Sequence, residues 1–132
     1  MPFKLGVIGI DHGHIFGMLS NMLQQGCRCD AYWTDGPAVT EAKFNETFSY
    51  VQKASDRRQI LDDPMIKMIL ISAVPEDRAG FAIEAMRAGK DVMVDKPGCT
   101  TLEQLEQIKA VQTETGRIWT VNFSERFQVP AV

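Results

Sequence analysis

The chain has 132 residues, 45% of them hydrophobic and 23% charged, with a formal net charge of −3. This length and balance are typical of one globular domain, and the negative charge, without any lysine- or arginine-rich run, argues against nucleic-acid binding. The apolar runs are too short to span a membrane, and the first residues lack the apolar segment of a signal peptide.

Strand-like and helix-like segments alternate along the whole chain. In chain order, the patterns predict a strand at 3–9, a helix at 14–25, a strand at 29–34, a helix at 38–48, a short strand at 49–51, a short helix from 55 that Pro64 ends, a strand at 67–73, a helix at 76–88, a strand at 91–94, a helix from 100 to 116 and a strand at 117–123. Apolar strands separated by helices indicate a parallel sheet covered on both faces.

We therefore predict an α/β fold of the doubly wound, Rossmann type, with a mostly parallel sheet of about six strands. The strand at 3–9 is expected to lie at the centre, paired with the strand at 67–73, because the strand order reverses there in this fold. Residues 1–123 form the predicted dinucleotide-binding domain. Residues 124–132 leave the last strand and read as an exit segment toward a further domain.

Three cysteines, Cys27, Cys29 and Cys99, give an odd count without a disulfide framework. Cys27 and Cys29 lack the two-residue spacer that is usual in zinc-binding and redox-active pairs. Reduced thiols of this kind favour a cytoplasmic location.

The strand at 91–94 runs into a charged corner, Asp95-Lys96-Pro97. Pro97 ends the hydrogen-bonding ladder and fixes the turn. Because ligands of open α/β sheets bind at the carboxyl ends of the strands, an acid and an ammonium group at this point suggest chemistry. A solvated turn without further function is the alternative.

A glycine-containing turn, Gly9-Ile10-Asp11-His12-Gly13-His14, follows the first strand at the place where dinucleotide folds bind a pyrophosphate. Gly9 suits the tight turn, whereas Asp11 and His14 occupy the second and third glycine positions of the usual pattern. A carboxylate beside a pyrophosphate lowers affinity unless it turns inward. We expect Asp11 to cap the following helix by accepting hydrogen bonds from Gly13 or His14.

Asp35 follows the second strand, where an acid can accept hydrogen bonds from both ribose hydroxyls of an adenosine and would repel a 2′-phosphate. It predicts NAD as the cofactor, with NADP less favoured; the alternative is an Asp35 that only caps the next helix. His12 and His14 are two residues apart, a spacing not expected to aim both at one metal ion, so no metal site is predicted.

Four segments together resemble the nucleotide-binding domain of the Gfo/Idh/MocA family (glucose–fructose oxidoreductase, inositol dehydrogenase and rhizopine catabolism). They are KLGVIGIDHGH, the Asp62-Asp63-Pro64 corner leading to MILISAVP, AIEAMRAGKDVMV leading to Asp95-Lys96-Pro97, and the exit Asn122-Phe123-Ser124-Glu125-Arg126-Phe127. The resemblance spans nearly the whole chain. Asp95 stands where the family has a glutamate in Glu-Lys-Pro.

The resemblance implies a role for each matching residue. Lys96 stands where the family's lysine orients the substrate and helps to move protons, and is the expected catalytic residue. The expected cofactor-binding residues are Gly9, Ile10, Asp11, His12, Asp35, Ala73, Val74, Pro75, Asp95, Lys96, Pro97 and Arg126. Glu76 and Arg78 depart from the family, which commonly has Asn and His there.

The implied function is the cofactor-binding domain of an NAD(P)-dependent oxidoreductase that acts on a sugar, a polyol or a related hydroxy compound. In this family a second domain supplies much of the substrate pocket, so the chain alone is expected to be inactive. Apolar residues near its end (Phe123, Phe127, Val129 and Val132) predict a homo-oligomer. The alternatives are a nucleotide-binding or regulatory module without turnover, which Asp11, Glu76 and Arg78 favour, and an oligomerising scaffold.

Overall fold

The computed structural model describes residues 3–36 and 38–122. Strands and helices alternate as β1 (Lys4–Ile8), α1 (His14–Gln24), β2 (Arg28–Trp33), α2 (Glu41–Thr47), β3 (Gln52–Lys53), α3 (Arg58–Leu61), β4 (Ile66–Ile71), α4 (Pro75–Arg87), β5 (Asp91–Asp95), α5 (Leu102–Thr115) and β6 (Trp119–Asn122). The expected exit segment 124–132, with Arg126 and the apolar residues Phe123, Phe127, Val129 and Val132, lies outside the described residues.

The six strands form one parallel sheet in the order β3-β2-β1-β4-β5-β6. β1 lies at the centre and pairs in parallel with β4, so the predicted doubly wound fold and its central pair are confirmed. The strand order reverses between β1 and β4. In such sheets the loops that leave these two strands separate and open a crevice for a ligand.

The third strand is later and shorter than the sequence predicts. Residues 49–51 form a turn, in which the Val51 N–H donates to the Phe48 carbonyl at 3.0 Å. Val51 itself is buried in the core. Only Gln52 and Lys53 pair with β2. Val51, which suggested a strand, therefore holds the turn that precedes β3 against the core.

Each face of the sheet is covered by its own hydrophobic cluster. On the face of α1 and α2 the buried residues include several rings, among them Tyr32, Phe44 and Phe48. On the face of α3, α4 and α5 they are mostly isoleucine, valine and alanine. Helices on both faces explain why the strands are apolar on both sides.

Within the described ranges, no helix has the length and apolar character that crossing a membrane requires.

Candidate cofactor site

The turn after β1 brings three strand ends together through Gly9. Its N–H donates to the Trp33 carbonyl at 2.6 Å, and its carbonyl accepts from the Ser72 N–H at 3.1 Å. Its φ angle is +85°, and a Cβ at this position would lie 2.5 Å from the Cβ of Ala73. Only glycine fits, because both the positive φ and the close approach of Ala73 exclude a side chain.

The turn then runs along the end of β4 before α1 begins. The His12 N–H donates to the Ser72 carbonyl at 3.0 Å, and the Ser72 Oγ lies 3.2 Å from the His12 carbonyl oxygen. Ile10 is buried, and its carbonyl accepts a hydrogen bond from the Thr40 hydroxyl. The backbone of the turn is therefore fixed on both sides, as a preformed phosphate-binding loop requires.

Asp11 does not cap α1, contrary to our expectation. The N-cap residue is Gly13, which has no side chain, and the His14 N–H donates to Nδ1 of His12 at 3.2 Å. Burial is the main cause that raises the pKa of Asp11, and the carboxylates of Asp35 and Asp77 add to it, while backbone hydrogen bonds oppose it. Asp11 thus belongs to an acidic group beside the turn.

At the end of β2, Asp35 is exposed and close enough to Arg57 to help raise the pKa of that guanidinium, although the hydrogen bond to Glu84 is the larger cause. Arg57 lies over the rings of Trp33 and Phe81, 5.2 and 5.5 Å from their centroids. The acid expected to bind the adenosine ribose therefore lies on the surface directly after β2, near the guanidinium that covers the Trp33 and Phe81 rings.

Asp95 is completely buried at the end of β5. Its Oδ2 accepts a hydrogen bond from the Ser72 hydroxyl at 3.1 Å and lies 3.5 Å from Nη2 of Arg78. Its Oδ1 lies 2.9 Å from Nδ1 of His14, and Nδ1 of His12 lies 3.4 Å from Oδ2. The carboxylate expected to hold the nicotinamide side is thus enclosed by these four side chains, and two of them separate it from solvent.

Arg78 is the most unexpected member of this site, because a cation is enclosed inside the fold. Only 1% of its surface is exposed, and burial lowers its pKa while the Asp95 carboxylate opposes that shift. Its Nε donates to the Ala73 carbonyl at 2.7 Å, and its Nη1 donates to the carbonyls of Asp95 and Pro97, each at 3.1 Å. Arg78 therefore connects the loop after β4 to the turn that carries Lys96.

Lys96 and Pro97 lie on the exposed surface of that turn, joined by a cis peptide bond, and Lys96 has interactions with neighbouring groups. Val74 is 40% exposed, and Pro75 is the first residue of α4. The described residues thus include every sequence-predicted site residue except Arg126. These site residues lie at or directly after the carboxyl ends of β1, β2, β4 and β5, at one edge of the sheet.

Three residues of this site were not selected from the sequence: His14, Ser72 and Arg78. Arg78 carried a usable signal, because it shares the buried stripe of α4 with Ala82, Ala85 and Met86. A charged residue on such a stripe indicates a buried network. Ser72 at the end of an apolar strand was a weaker signal of the same kind.

A glycine turn at the strand-order reversal, an acid after the second strand and a lysine after the fifth define a dinucleotide-binding α/β domain. Residues 3–123 match the family described as "Oxidoreductase family, NAD-binding Rossmann fold". The chain belongs to this Gfo/Idh/MocA family, as the resemblance implied.

Curated relatives include dehydrogenases of sugar-like compounds. The chain is 31% identical over 91 residues to levoglucosan dehydrogenase of Pseudarthrobacter phenanthrenivorans, covering 69% of this chain and 23% of that protein. It is 31% identical over 74 residues to scyllo-inositol 2-dehydrogenase (NAD(+)) of Bacillus subtilis, covering 56% and 22%. It is also 30% identical over 80 residues to the uncharacterized oxidoreductase YhhX of Escherichia coli, covering 61% and 23%.

Solved structures share the fold over nearly the whole chain. An oxidoreductase structure from Erwinia carotovora superposes with a TM-score of 0.89 at 33% identity, covering 93% of this chain and 37% of that one. Biliverdin reductase from Synechocystis, solved with biliverdin and NADP+, superposes with a TM-score of 0.79 at 23% identity, covering 96% and 40%. The chain thus spans about a quarter of the length of the curated relatives named above.

Proposed function

We propose that this chain is the cofactor-binding domain, residues 1–123, of an NAD-dependent oxidoreductase that acts on a sugar, a polyol or a related hydroxy compound. The observation that supports it most is the convergence of the Gly9 turn, the loop at Ala73 and the turn at Lys96 at the strand-order reversal. Relatives that act on inositol and levoglucosan support the substrate class. Residues 124–132 would lead toward the substrate domain.

The cofactor would supply hydride transfer, and the residues of this chain would bind and orient it. The backbone of the turn at 9–12 would face the pyrophosphate, and Asp35 would accept hydrogen bonds from the adenosine ribose. Lys96 would contact the substrate hydroxyl and exchange a proton with it. Arg78 would hold the Lys96 turn in place by its hydrogen bonds to the Asp95 and Pro97 carbonyls.

Fluorescence titrations of the chain with NADH and NADPH test the cofactor assignment. We expect weak binding that favours NADH, because the Asp35 carboxylate would repel a 2′-phosphate. Asp35→Ala should narrow the difference in affinity between NADH and NADPH. Asp62, an exposed acid directly after α3, provides the control, and Asp62→Ala should leave this difference unchanged. Tighter binding of NADPH by the unaltered chain would show that the role given to Asp35 is wrong.

The role of Lys96 is tested in a full-length enzyme that contains this domain together with a substrate domain. Lys96→Ala should lower turnover by roughly a hundredfold, as loss of a proton-transferring group does, with little change in cofactor affinity. Lys109→Ala, an exposed lysine of α5, is the matched control. Turnover that survives the loss of Lys96 would establish a solvated turn without chemistry.

A second candidate function is a nucleotide-binding or regulatory module without turnover. The specific observation in its favour is the acidic group at Asp11, Asp35 and Asp77, whose negative charge would oppose a pyrophosphate. Burial is the main cause that raises the pKa of Asp11, and the other two carboxylates add to it. Absence of binding to both dinucleotides would favour it over the first candidate. Arg78, which favoured this alternative in the sequence, does not support a module without turnover in the structure, because its side chain is buried inside the fold.

We also propose a cytoplasmic location, in agreement with the free thiols of Cys27, Cys29 and Cys99. A homo-oligomer is proposed as well, and sedimentation at high protein concentration would test it. A strictly monomeric profile would contradict the oligomer.

A further inference from the structure

Two imidazoles and one carboxylate converge beside the glycine turn. His12, His14 and Asp95 each offer a nitrogen or oxygen atom, and these atoms lie within 4.8 Å of one another. The spacing of the two histidines suggested that they would point apart. Instead, the turn before α1 places their rings 4.2 Å apart, centroid to centroid, on the same side.

The distances suit the first coordination shell of a small cation. Asp95 Oδ1 is 2.9 Å from Nδ1 of His14, and Asp95 Oδ2 is 3.4 Å from Nδ1 of His12. Atoms bound to one transition-metal ion at about 2.0–2.2 Å are separated by roughly 3 to 3.5 Å, depending on the coordination geometry. The contacts of Asp95 with the two imidazoles are in this range, and rotation of the imidazoles would bring all three groups, now within 4.8 Å of one another, onto one ion.

The contact between Nδ1 of His12 and Oδ2 of Asp95 has no proton between its two atoms. Nδ1 of His12 accepts the hydrogen bond of the His14 N–H at 3.2 Å, so this nitrogen carries a lone pair. The same atom faces Asp95 Oδ2 at 3.4 Å, which also carries lone pairs. Two acceptors facing each other repel, and a cation bound to this lone pair would remove the repulsion while displacing the His14 N–H.

The surroundings of the carboxylate resemble the outer shell of a metal site. Ser72 donates to Oδ2 of Asp95, and Arg78 lies 3.5 Å from the same oxygen, so Oδ1 remains directed at the His14 imidazole. Hydrogen bonds of this kind orient ligating carboxylates. The side chains of His12 and His14 are 51% and 44% exposed, which leaves a path for an ion to enter.

We propose that His12, His14 and Asp95 form a binding site for a divalent first-row transition-metal ion, for which Zn²⁺ is the reference. A donor set of two imidazoles and one carboxylate binds such ions in preference to Mg²⁺ or Ca²⁺. Three protein ligands, of which the two imidazoles are half exposed, leave at least one coordination position open to water or to an oxygen of a bound molecule. The site does not rest on dinucleotide binding.

Charge limits the affinity of this site. The guanidinium of Arg78 and the positive end of the α1 dipole both oppose a cation. An anionic oxygen in the open position would offset that opposition.

The experiment measures zinc binding to the 132-residue chain by calorimetry, without nucleotide, and repeats it with Co²⁺ to record the absorption of the bound ion. His12→Ala and His14→Ala are the test variants, because both side chains are half exposed and circular dichroism can confirm their folding. Asn21→Ala, on the exposed side of α1, is the matched control. Asp95 is left unchanged because Arg78 would otherwise lose its carboxylate partner.

We expect one zinc ion per chain, at least about a tenfold loss of affinity in each histidine variant, and no change in Asn21→Ala. Cysteine ligation is the competing explanation, since Cys27 and Cys99 are partly exposed. It would appear as cobalt–thiolate absorption and as loss of binding in Cys27→Ser or Cys99→Ser, and it would overturn the proposal. Absence of zinc binding, or equal affinity in all variants, would overturn it as well. Loss of NADH binding alone would leave it standing.

Discussion

The two edges of the sheet use charged residues in opposite ways. At the carboxyl edge, a group that we call the carboxyl rim (Ser72, Arg78 and Asp95) is buried and fully connected by hydrogen bonds and an ion pair. At the amino edge, the group that we call the amino rim (Lys4, Asp63 and Lys90) is mixed: Lys4 and Asp63 are partly exposed, with Lys4 Nζ 3.1 Å from Asp63 Oδ2, and Lys90 is buried. The charges of Lys4 and Asp63 need little from the protein, because water partly solvates them.

Burying a charge costs several kcal/mol unless partners compensate it. A fold without a function at its carboxyl edge would be expected to place apolar groups there. The carboxyl rim lies at the sheet edge where the crevice opens, and the amino rim lies at the opposite edge. Substitutions in the two rims should therefore differ in size.

The largest effect is expected for Arg78→Met. It removes the donor to three carbonyl oxygens and leaves the buried Asp95 carboxylate without its cation. The free energy of unfolding should fall by about 3–5 kcal/mol, as for other broken buried ion pairs. Urea unfolding monitored by circular dichroism measures it, and a loss below about 1 kcal/mol would remove the contrast between the rims.

A smaller effect is expected for Lys90→Met, the most buried member of the amino rim. Lys90 is 4% exposed, and its Nζ donates to the Asp63 carbonyl at 2.6 Å. Burial lowers the pKa of Lys90, which means that the folded state already opposes its charge. Loss of one hydrogen bond, partly offset by relief of that opposition, should cost about 1 kcal/mol in urea unfolding. A cost as large as that of Arg78→Met would show that the amino rim is also a buried network.

Asp63 gives the amino rim a pH dependence. A hydrogen bond from the Met65 N–H is the main cause that lowers the pKa of Asp63 below 3.8, and Lys4 adds to it. A lowered pKa in the folded state contributes stability above the usual value, and this contribution is lost as the pH falls through the folded-state pKa. Asp63→Asn should therefore lose less stability than the unaltered chain between a pH well above and a pH well below 3.8. Equal losses would contradict this role of Asp63.

The smallest effect is expected for Lys4→Ala. Its ammonium pairs with Asp63 and, at 3.7 Å, with Asp30, but all three side chains are partly exposed. Partly exposed pairs contribute less than about 1 kcal/mol, and salt should reduce even that. Thermal unfolding at low and high salt measures it; a large loss that salt does not change would contradict the assignment.

Local patterns were sufficient to predict most of the fold. The buried strands β1 and β4 are continuous apolar runs, and the Gly9 turn and the Lys96 corner follow directly from residues that are adjacent in sequence. The site was harder, because its main contacts join distant positions. His14 and Asp95 are separated by 81 residues, and nothing near either one indicates the other. The prediction of a strand at 49–51 was wrong for a different reason, since Val51 packs into the core without forming β-sheet hydrogen bonds.

Gly98 lies directly against the indole of Trp119, and a Cβ there would be 2.6 Å from Cζ2 of that ring. One of only two tryptophans in the chain therefore touches the turn that follows Lys96 and Pro97, while the other, Trp33, ends β2 beside Asp35. The molecule thus contains a fluorescent reporter at each end of its crevice. With one tryptophan replaced by phenylalanine at a time, emission and energy transfer to a bound reduced nicotinamide would show which end a ligand occupies, without any added label.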